Sequence, residues 1–275
     1  MDGIILSHEV IHSLKHTKQV GMILKLDLSK AFDKLSWIYI KKMLIAFGFS
    51  PMWVRWIQSL ISSSFFSILL NGIPSRPFSP SRGTWQGDHL SPFLFVLMAE
   101  GLGRHINQAR LSQQIKGFSI HNSPAITHQQ FVDDNMLFGY PSVHEASMYK
   151  SLLNDFAEAS GTSINKTKSQ IFFFHTPPVV QRAIARILGF SIESLPSKYL
   201  GAPLIDSAIK HTSWRLLLEK LDHRLNSWTH RSLNTVSRLV LIKAVLQAMP
   251  LYLFSILTAP KWVIKRIRNL QCKFL

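Results

Sequence analysis

Two places in the chain put carboxylates where ordinary solvation does not account for them. Asp27 sits in Met22-Ile-Leu-Lys-Leu-Asp-Leu28, an apolar run that reads as a strand. A carboxylate there is costly unless it is paired or binds a cation. Asp133 and Asp134 are adjacent in Phe131-Val-Asp-Asp-Asn-Met-Leu-Phe138, where two apolar arms flank three turn-forming residues. That pattern predicts a hairpin with both acids at its tip. Neighbouring carboxylates repel, a divalent cation relieves the repulsion, and hard oxygen ligands suit Mg²⁺. Taken singly, each feature also fits a plain role: a strand-end cap for Asp27, a simple turn for Asp-Asp-Asn. Together, an acid on one strand and a pair on a hairpin make the donor set of a two-metal phosphoryl-transfer site.

Such a site needs a phosphate-bearing substrate, and the charge balance supplies an attraction to one. Among 275 residues, 31 Lys and Arg face 15 Asp and Glu, a formal net charge of +16. A chain this basic is drawn to polyanions, and counterion release makes the attraction salt-dependent. With 47% hydrophobic and 17% charged residues it can build a substantial core, which excludes wholesale disorder. Its one cysteine, Cys272, rules out an intramolecular disulfide and fits an intracellular, reducing compartment. The start, MDGIILSHEV, has no basic region leading into a long apolar core and does not read as a signal peptide. The most apolar stretch, residues 239–260, carries Lys243, Gln247 and Pro250 and predicts a buried helix pair broken at Pro250, not a membrane span.

The elements that must position these acids follow from periodicity. Helical spacing over residues 3–15 precedes the Asp27 strand, and a second helix over 37–47 stops at Gly48. Ser50-Pro51 restarts a helix, with serine as N-cap and proline in its first turn. Asn71-Gly72 marks a hairpin between residues 65–70 and 74–78. Gly83 to Asp88 is a polar loop before an apolar helix over 90–106; a helix over 143–159 and a short strand over 170–174 follow. Strands and helices mix up to about residue 204, and only helical patterns come after 206, which predicts α+β with a helical appendage.

At the acids the resemblance to a known family becomes specific. Lys25-Leu-Asp-Leu-Ser-Lys-Ala-Phe-Asp33 resembles motif A of reverse transcriptases in its non-LTR form, and Gly83-Thr-Trp-Gln-Gly-Asp-His-Leu-Ser-Pro92 resembles motif B. Phe131-Val-Asp-Asp134 is similar to the aromatic-x-Asp-Asp box of motif C. Ser160-Gly-Thr-Ser-Ile-Asn-Lys-Thr-Lys-Ser169 is similar to motif D, and Tyr199-Leu-Gly-Ala-Pro-Leu204 to motif E. Leu225-Asn-Ser-Trp228 and the run from Ser237 to Pro250 resemble the thumb of plant LINE-1-type elements. The boxes occur in family order over nearly the whole chain.

The resemblance implies a right-hand polymerase palm, an antiparallel sheet with helices, over 16–204. A remnant helix over 1–15 precedes it and a helical thumb over 205–275 follows. It implies RNA-directed DNA synthesis on an RNA template and DNA primer from deoxynucleoside triphosphates, with two Mg²⁺ ions. Asp27, Asp133 and Asp134 would be the metal carboxylates. Lys168 matches the motif D general acid, although a solvated lysine fits as well. Phe32 falls at the steric gate against a 2′-hydroxyl, although core packing fits as well. Gln86 and Gly87 match the pair that contacts the incoming nucleotide, and Tyr199, Leu200 and Gly201 the primer grip. By analogy the location is nuclear. Three departures stand out: His89 replaces a usual proline, Val236-Ser237 replaces a small-residue–glycine pair, and the basic fingers motifs found upstream in relatives have no counterpart, so the chain is expected to be N-terminally truncated. A catalytically silent remnant that only binds nucleic acid is the alternative.

His8-Glu-Val-Ile-His12 is a literal His-Glu-x-x-His, which on a helix places two imidazoles on one face as in zinc proteases. It lacks the extended motif's glycine, Lys15 standing there; Asp27 or Asp33 could be proposed as the third ligand, but Asp27 is better explained by the polymerase reading. Asn165-Lys-Thr167 is a formal glycosylation sequon that carries no weight without a secretory signal.

Overall fold

The computed structural model of the chain describes residues 2–120, 123–205, 211–229 and 233–275. The first apolar spacing folds as α1 (Asp2–His16), and the Asp27 run as the strand β1 (Gly21–Ser29). A short α2 (Ala31–Lys34) leads to α3 (Trp37–Ala46), capped by Ser36, whose side chain accepts the Tyr39 N–H. The Ser50-Pro51 signal starts α4 (Pro51–Ser62), with Ser50 accepting from the Trp53 N–H. Asn71 and Gly72, with φ of 51° and 83°, turn β2 (Leu69–Leu70) into β3 (Ile73–Pro74). The chain continues through α5 (Ser91–Leu111), β4 (His128–Phe131), β5 (Asp134–Gly139), α6 (Val143–Ser160), β6 (Ser163–Ile164), β7 (Gln170–Phe174), α7 (Pro178–Leu188) and β8 (Ser191–Glu193). It ends with β9 (Ser197–Tyr199), β10 (Ala202–Leu204), α8 (His211–Thr229), α9 (Thr235–Leu241), a π-helical turn (Ile242–Leu246), α10 (Ala248–Phe254) and α11 (Lys261–Phe274).

One sheet organises the site. Its strand order is β4-β5-β1-β7-β8, with β6 also pairing β1. β1 is paired on both edges, and Met22, Ile23, Leu24 and Leu26 are all buried, which is why its sequence is a continuous apolar run instead of an alternation. Phe95 and Leu102 of α5, Tyr149, Leu153 and Phe156 of α6, and Ile184 of α7 pack in its core. A second cluster joins α3, α4 and α5 through Ile40, Leu44, Ile57 and Met98. The pairings are antiparallel as expected, except that β8 runs parallel to β7. The α7 crossover returns the chain in the direction in which it left β7.

The chain forms two compact units, His12–Ser194, and Met1–Ile11 with Leu195–Leu275. The β9–β10 hairpin therefore belongs to the helical unit and not to the sheet. That unit has its own core, built around Trp214, Leu221, Leu246, Val263 and Ile267.

Two expectations for the helical unit are corrected. The helix does not break at Pro250: in the π turn the Gln247 N–H reaches the Ile242 carbonyl at 2.9 Å. That shift of register places Pro250 in the first turn of α10, where a missing N–H removes no helical bond. Nor is the segment deeply buried, since Val236, Leu239, Val240 and Leu251 are exposed. Thr235–Phe254 is long and apolar enough, by length and composition, to cross a membrane. One helix that meets a criterion of length and composition does not establish a span.

Candidate active site

The antiparallel pairing of β1 with β5 runs Lys25 to Met136, Leu26 to Asn135 and Asp27 to Asp134, so two of the three singled-out acids are direct cross-strand partners. On its other edge β5 pairs with β4, and Phe131 lies opposite Asp134. The hairpin tip is therefore Val132-Asp133, a two-residue turn, and not the Asp-Asp-Asn expected. Asp134 is the first residue of the strand, and Asn135 is buried beneath it. Val132 takes a left-handed φ of 51°, an arrangement that costs a β-branched residue about 1–3 kcal/mol and is found where the surroundings over-determine it. Strain at this turn leaves Asp133 projecting and exposed beside the half-buried Asp134.

The segment after α6 is stitched to β1 at Asp27. The Asp27 N–H donates to Ser169 Oγ at 3.2 Å, and the Asp27 carbonyl accepts the Asn165 N–H at 2.8 Å. Asn165 also accepts from Thr167 and Lys168 through its side chain, so the formal sequon is a turn. Lys168 Nζ lies 4.0 Å from Asp27 Oδ2. Its side chain is 69% exposed, which makes the pair weak as a source of stability while leaving the ammonium next to the acids.

Burial raises the Asp134 carboxyl above its ordinary value; the Asp133 charge adds to the rise, Lys25 partly offsets it, and Asp27 contributes again. Hard oxygen donors gathered at mutual electrostatic cost are chemically suited to a divalent cation, which would remove that cost. Among the described residues no three or more His, Cys, Asp or Glu side chains are pre-assembled around one metal position, so the fit lies in donor type and charge. A measurable consequence follows from the raised Asp134. A carboxyl whose folded pKa is raised contributes stability that is complete below its unfolded pKa and lost as pH rises through the folded value. At neutral pH the ionised Asp134 is thus a cost to the metal-free fold. Asp134→Asn is expected to raise Tm at pH 7, with the gain vanishing in acid; an unchanged or lower Tm at pH 7 would contradict the electrostatic account.

Phe32 packs against Phe95, with ring centroids 5.0 Å apart, and is half-buried. The loop carrying Gln86 and Gly87 is tied to the turn after β1 by several bonds. The Gly83 N–H donates to the Leu35 carbonyl and the Thr84 N–H to the Phe32 carbonyl, both at 2.8 Å, and Trp37 Nε1 donates to the Gly83 carbonyl at 2.7 Å. Gly83 has a φ of 87°, and a Cβ there would lie 2.6 Å from the Asp33 carbonyl oxygen, so only glycine allows this approach. Gln86 Nε2 donates to Asp33 Oδ1 at 2.9 Å. Gly87, at φ 92°, is exposed with open space around it. A cavity of about 540 Å³ adjoins the loop, lined in part by Asp33, Ser64, Arg82, Thr84, Trp85 and Gln86. Asp88, next to the irregular His89, accepts the Ser91 N–H at 2.8 Å and caps α5.

In the other unit Tyr199 is buried at the end of β9, and Leu200-Gly201 forms the turn to β10 with φ of 46° and 83°. Tyr252 of α10 donates its hydroxyl to the Leu200 carbonyl. His8 Nε2 lies 3.0 Å from the Pro203 carbonyl oxygen, and the His12 ring stacks on His16, so each of these histidines has a structural partner.

Asp33 and Ser169 hold Gln86 and the Asp27 backbone, roles that sequence reasoning missed: Asp33 was weighed only as a zinc ligand and Ser169 not at all. Both lie inside the motif stretches, but their partners are 53 and 142 residues away and nothing local betrays them.

Comparisons with known proteins bear on the fold and the family. In solved structures the fold is shared with telomerase from Candida tropicalis in complex with a TWJ fragment of telomeric RNA: TM-score 0.54 at 12% identity, covering 99% of this chain and 42% of that one. The palm-like sheet with helices is thus a fold seen in telomerase. The Pol polyprotein of the type-2 retrotransposable element R2DM of Drosophila melanogaster is 30% identical over 206 residues, 75% of this chain and 18% of that protein. The Pol polyprotein of the R2 element of Popillia japonica is 30% identical over 115 residues, 42% of this chain and 18% of that protein. The chain thus spans under a fifth of the length of these two relatives. The profile of the reverse transcriptase (RNA-dependent DNA polymerase) family matches residues 2–204. That match runs through Asp27, Asp133 and Asp134 alike, and on it the chain belongs to the reverse transcriptase family.

Proposed function

We propose that the chain carries out RNA-directed DNA synthesis, with the cross-strand register of Asp27 and Asp134 beside Asp133 as the observation that supports it most directly. In this reading the three carboxylates hold two Mg²⁺ ions. Bound there, the metal would lower the pKa of the primer 3′-hydroxyl and stabilise the charge that develops at the α-phosphate of the deoxynucleoside triphosphate. Lys168, 4.0 Å from Asp27, stands ready to donate a proton to the departing pyrophosphate. Phe32, held by Phe95, crowds a ribose 2′-hydroxyl, while Gln86 and Gly87 meet the nucleotide and Tyr199, Leu200 and Gly201 steady the primer. Charge supports a nucleic-acid substrate: from Lys34 to Gly87 the sequence has no carboxylate but carries Lys34, Lys41, Lys42, Arg55, Arg76 and Arg82. Template and primer would be contacted through phosphates, not bases. The resemblance of the thumb stretches supports a parent element of the LINE-1 type from plants, and analogy with elements that prime at their target site supports the nucleus as its site of action.

The decisive experiment is primer extension on an RNA template with Mg²⁺ and deoxynucleotides, run beside an EDTA control. Extension that EDTA removes is the expected result. Tight duplex binding with no extension would overturn synthesis and leave a catalytically silent nucleic-acid binder.

A further inference from the structure

We infer that Asp33 is a positioning residue whose carboxylate fixes the orientation of the Gln86 amide at the nucleotide side of the site. The inference rests on the reading of Gln86 as a nucleotide contact and goes beyond it by naming what aims that side chain. Gln86 sits in an exposed loop, where a long side chain samples many rotamers and its amide can present either end. Among the described residues, Asp33 is the hydrogen-bond partner of that amide, with Nε2 donating to Oδ1 at 2.9 Å. An ionised carboxylate only accepts, so it selects the NH₂ end of the amide and leaves Oε1 as an acceptor toward the ligand. The pairing also ties down an amide that would otherwise flip.

Asp33 is a suitable anchor because its own backbone is locked to the same loop. Its N–H donates to the Lys30 carbonyl at 3.1 Å, and its carbonyl occupies the space left by the missing side chain of Gly83. The bonds from Gly83 and Thr84 to Leu35 and Phe32 hold the two segments in register on either side of it. Asp33 thus follows Phe32 directly in sequence and meets Gln86 in space, so one turn controls both residues read as touching the nucleotide.

Two measurements test this together. In the ¹⁵N-labelled chain the Gln86 side-chain amide, identified by its loss in Gln86→Glu, is expected to exchange with solvent about tenfold faster in Asp33→Ala, the factor that one hydrogen bond to a charged group supplies. Asp33→Asn keeps an acceptor and is expected to restore much of the protection. In extension assays Asp33→Ala is expected to raise the deoxynucleotide KM by about tenfold with a smaller effect on kcat. In a Gln86→Ala background it should add almost nothing. Unchanged amide exchange in Asp33→Ala overturns the inference, as does an equal KM increase with and without Gln86. If the wild-type chain extends no primer, the synthesis reading fails by itself, and the exchange measurement still decides whether Asp33 orients Gln86.

Discussion

Asp133→Asn is expected to lower primer extension by at least about 10³-fold while leaving the fold intact. The size follows from the chemistry: charge stabilisation by a bound metal is worth several kcal/mol, and each 1.36 kcal/mol is tenfold in rate. Asparagine keeps the shape and one oxygen but removes the charge that makes the site attractive to a divalent cation. The fold should be indifferent because Asp133 projects from a two-residue turn and is exposed, and the Asn135 side chain donates to its backbone carbonyl, not to its carboxylate. A melting temperature within error of wild type is therefore part of the expected result. Extension within tenfold of wild type would remove Asp133 from the metal site and the two-metal reading with it. Loss of extension accompanied by a large drop in Tm would assign the residue to the turn.

The largest effect on stability is expected at Glu145, a carboxylate buried at the start of α6. Its Oε1 accepts the Lys116 N–H and its Oε2 the Tyr140 N–H, both at 2.7 Å. Ser142 accepts the Glu145 N–H at 3.0 Å and caps the helix, whose N-terminal dipole favours a negative charge there. One side chain thus ties the end of β5, the start of α6 and the loop around residue 116. The tie also explains Gly139, where a Cβ would stand 2.7 Å from Glu145 Oε2. Glu145→Ala leaves two backbone donors without their acceptor, at about 1–3 kcal/mol each before water compensates. A total near 3 kcal/mol, or roughly 6–10 °C in Tm, is expected. Burial raises the Glu145 carboxyl above its ordinary value, and the two hydrogen bonds only partly offset this. Its contribution is therefore complete in acid and declines as pH rises through the folded pKa, so the deficit of Glu145→Ala should grow as pH falls. A deficit that shrinks in acid would show that the hydrogen bonds, not burial, dominate its ionisation.

Much of this molecule was legible from the residues alone because it depends on local chemistry. The β1 run, the Asn71-Gly72 turn, the Ser50-Pro51 helix start and the α+β order follow from side-chain period, caps and backbone preferences that act within a few residues. The suspicion attached to Asp27, Asp133 and Asp134 is of the same kind, since an acid among apolar neighbours is visible in one dimension. What needed the tertiary structure depends on pairing. Turn-forming residues suggested a tip at Asp-Asp-Asn, but β4 and β5 zip to the Phe131–Asp134 pair, and the apolar Val132 takes the strained turn position instead. A register is decided by the burial of every residue along both strands, and here it sends Asn135 inward and Asp134 toward Asp27. Pro250 was misjudged because a π turn several residues earlier resets the helical register, a shift that no rule about proline contains. The roles of Asp33, Ser169 and Glu145 were silent because each acts on a backbone or amide group that only folding brings near. Sequence by itself determined which residues are candidates for the chemistry; the sheet decided which of them face each other, because hydrogen-bond register is a property of two segments and never of one.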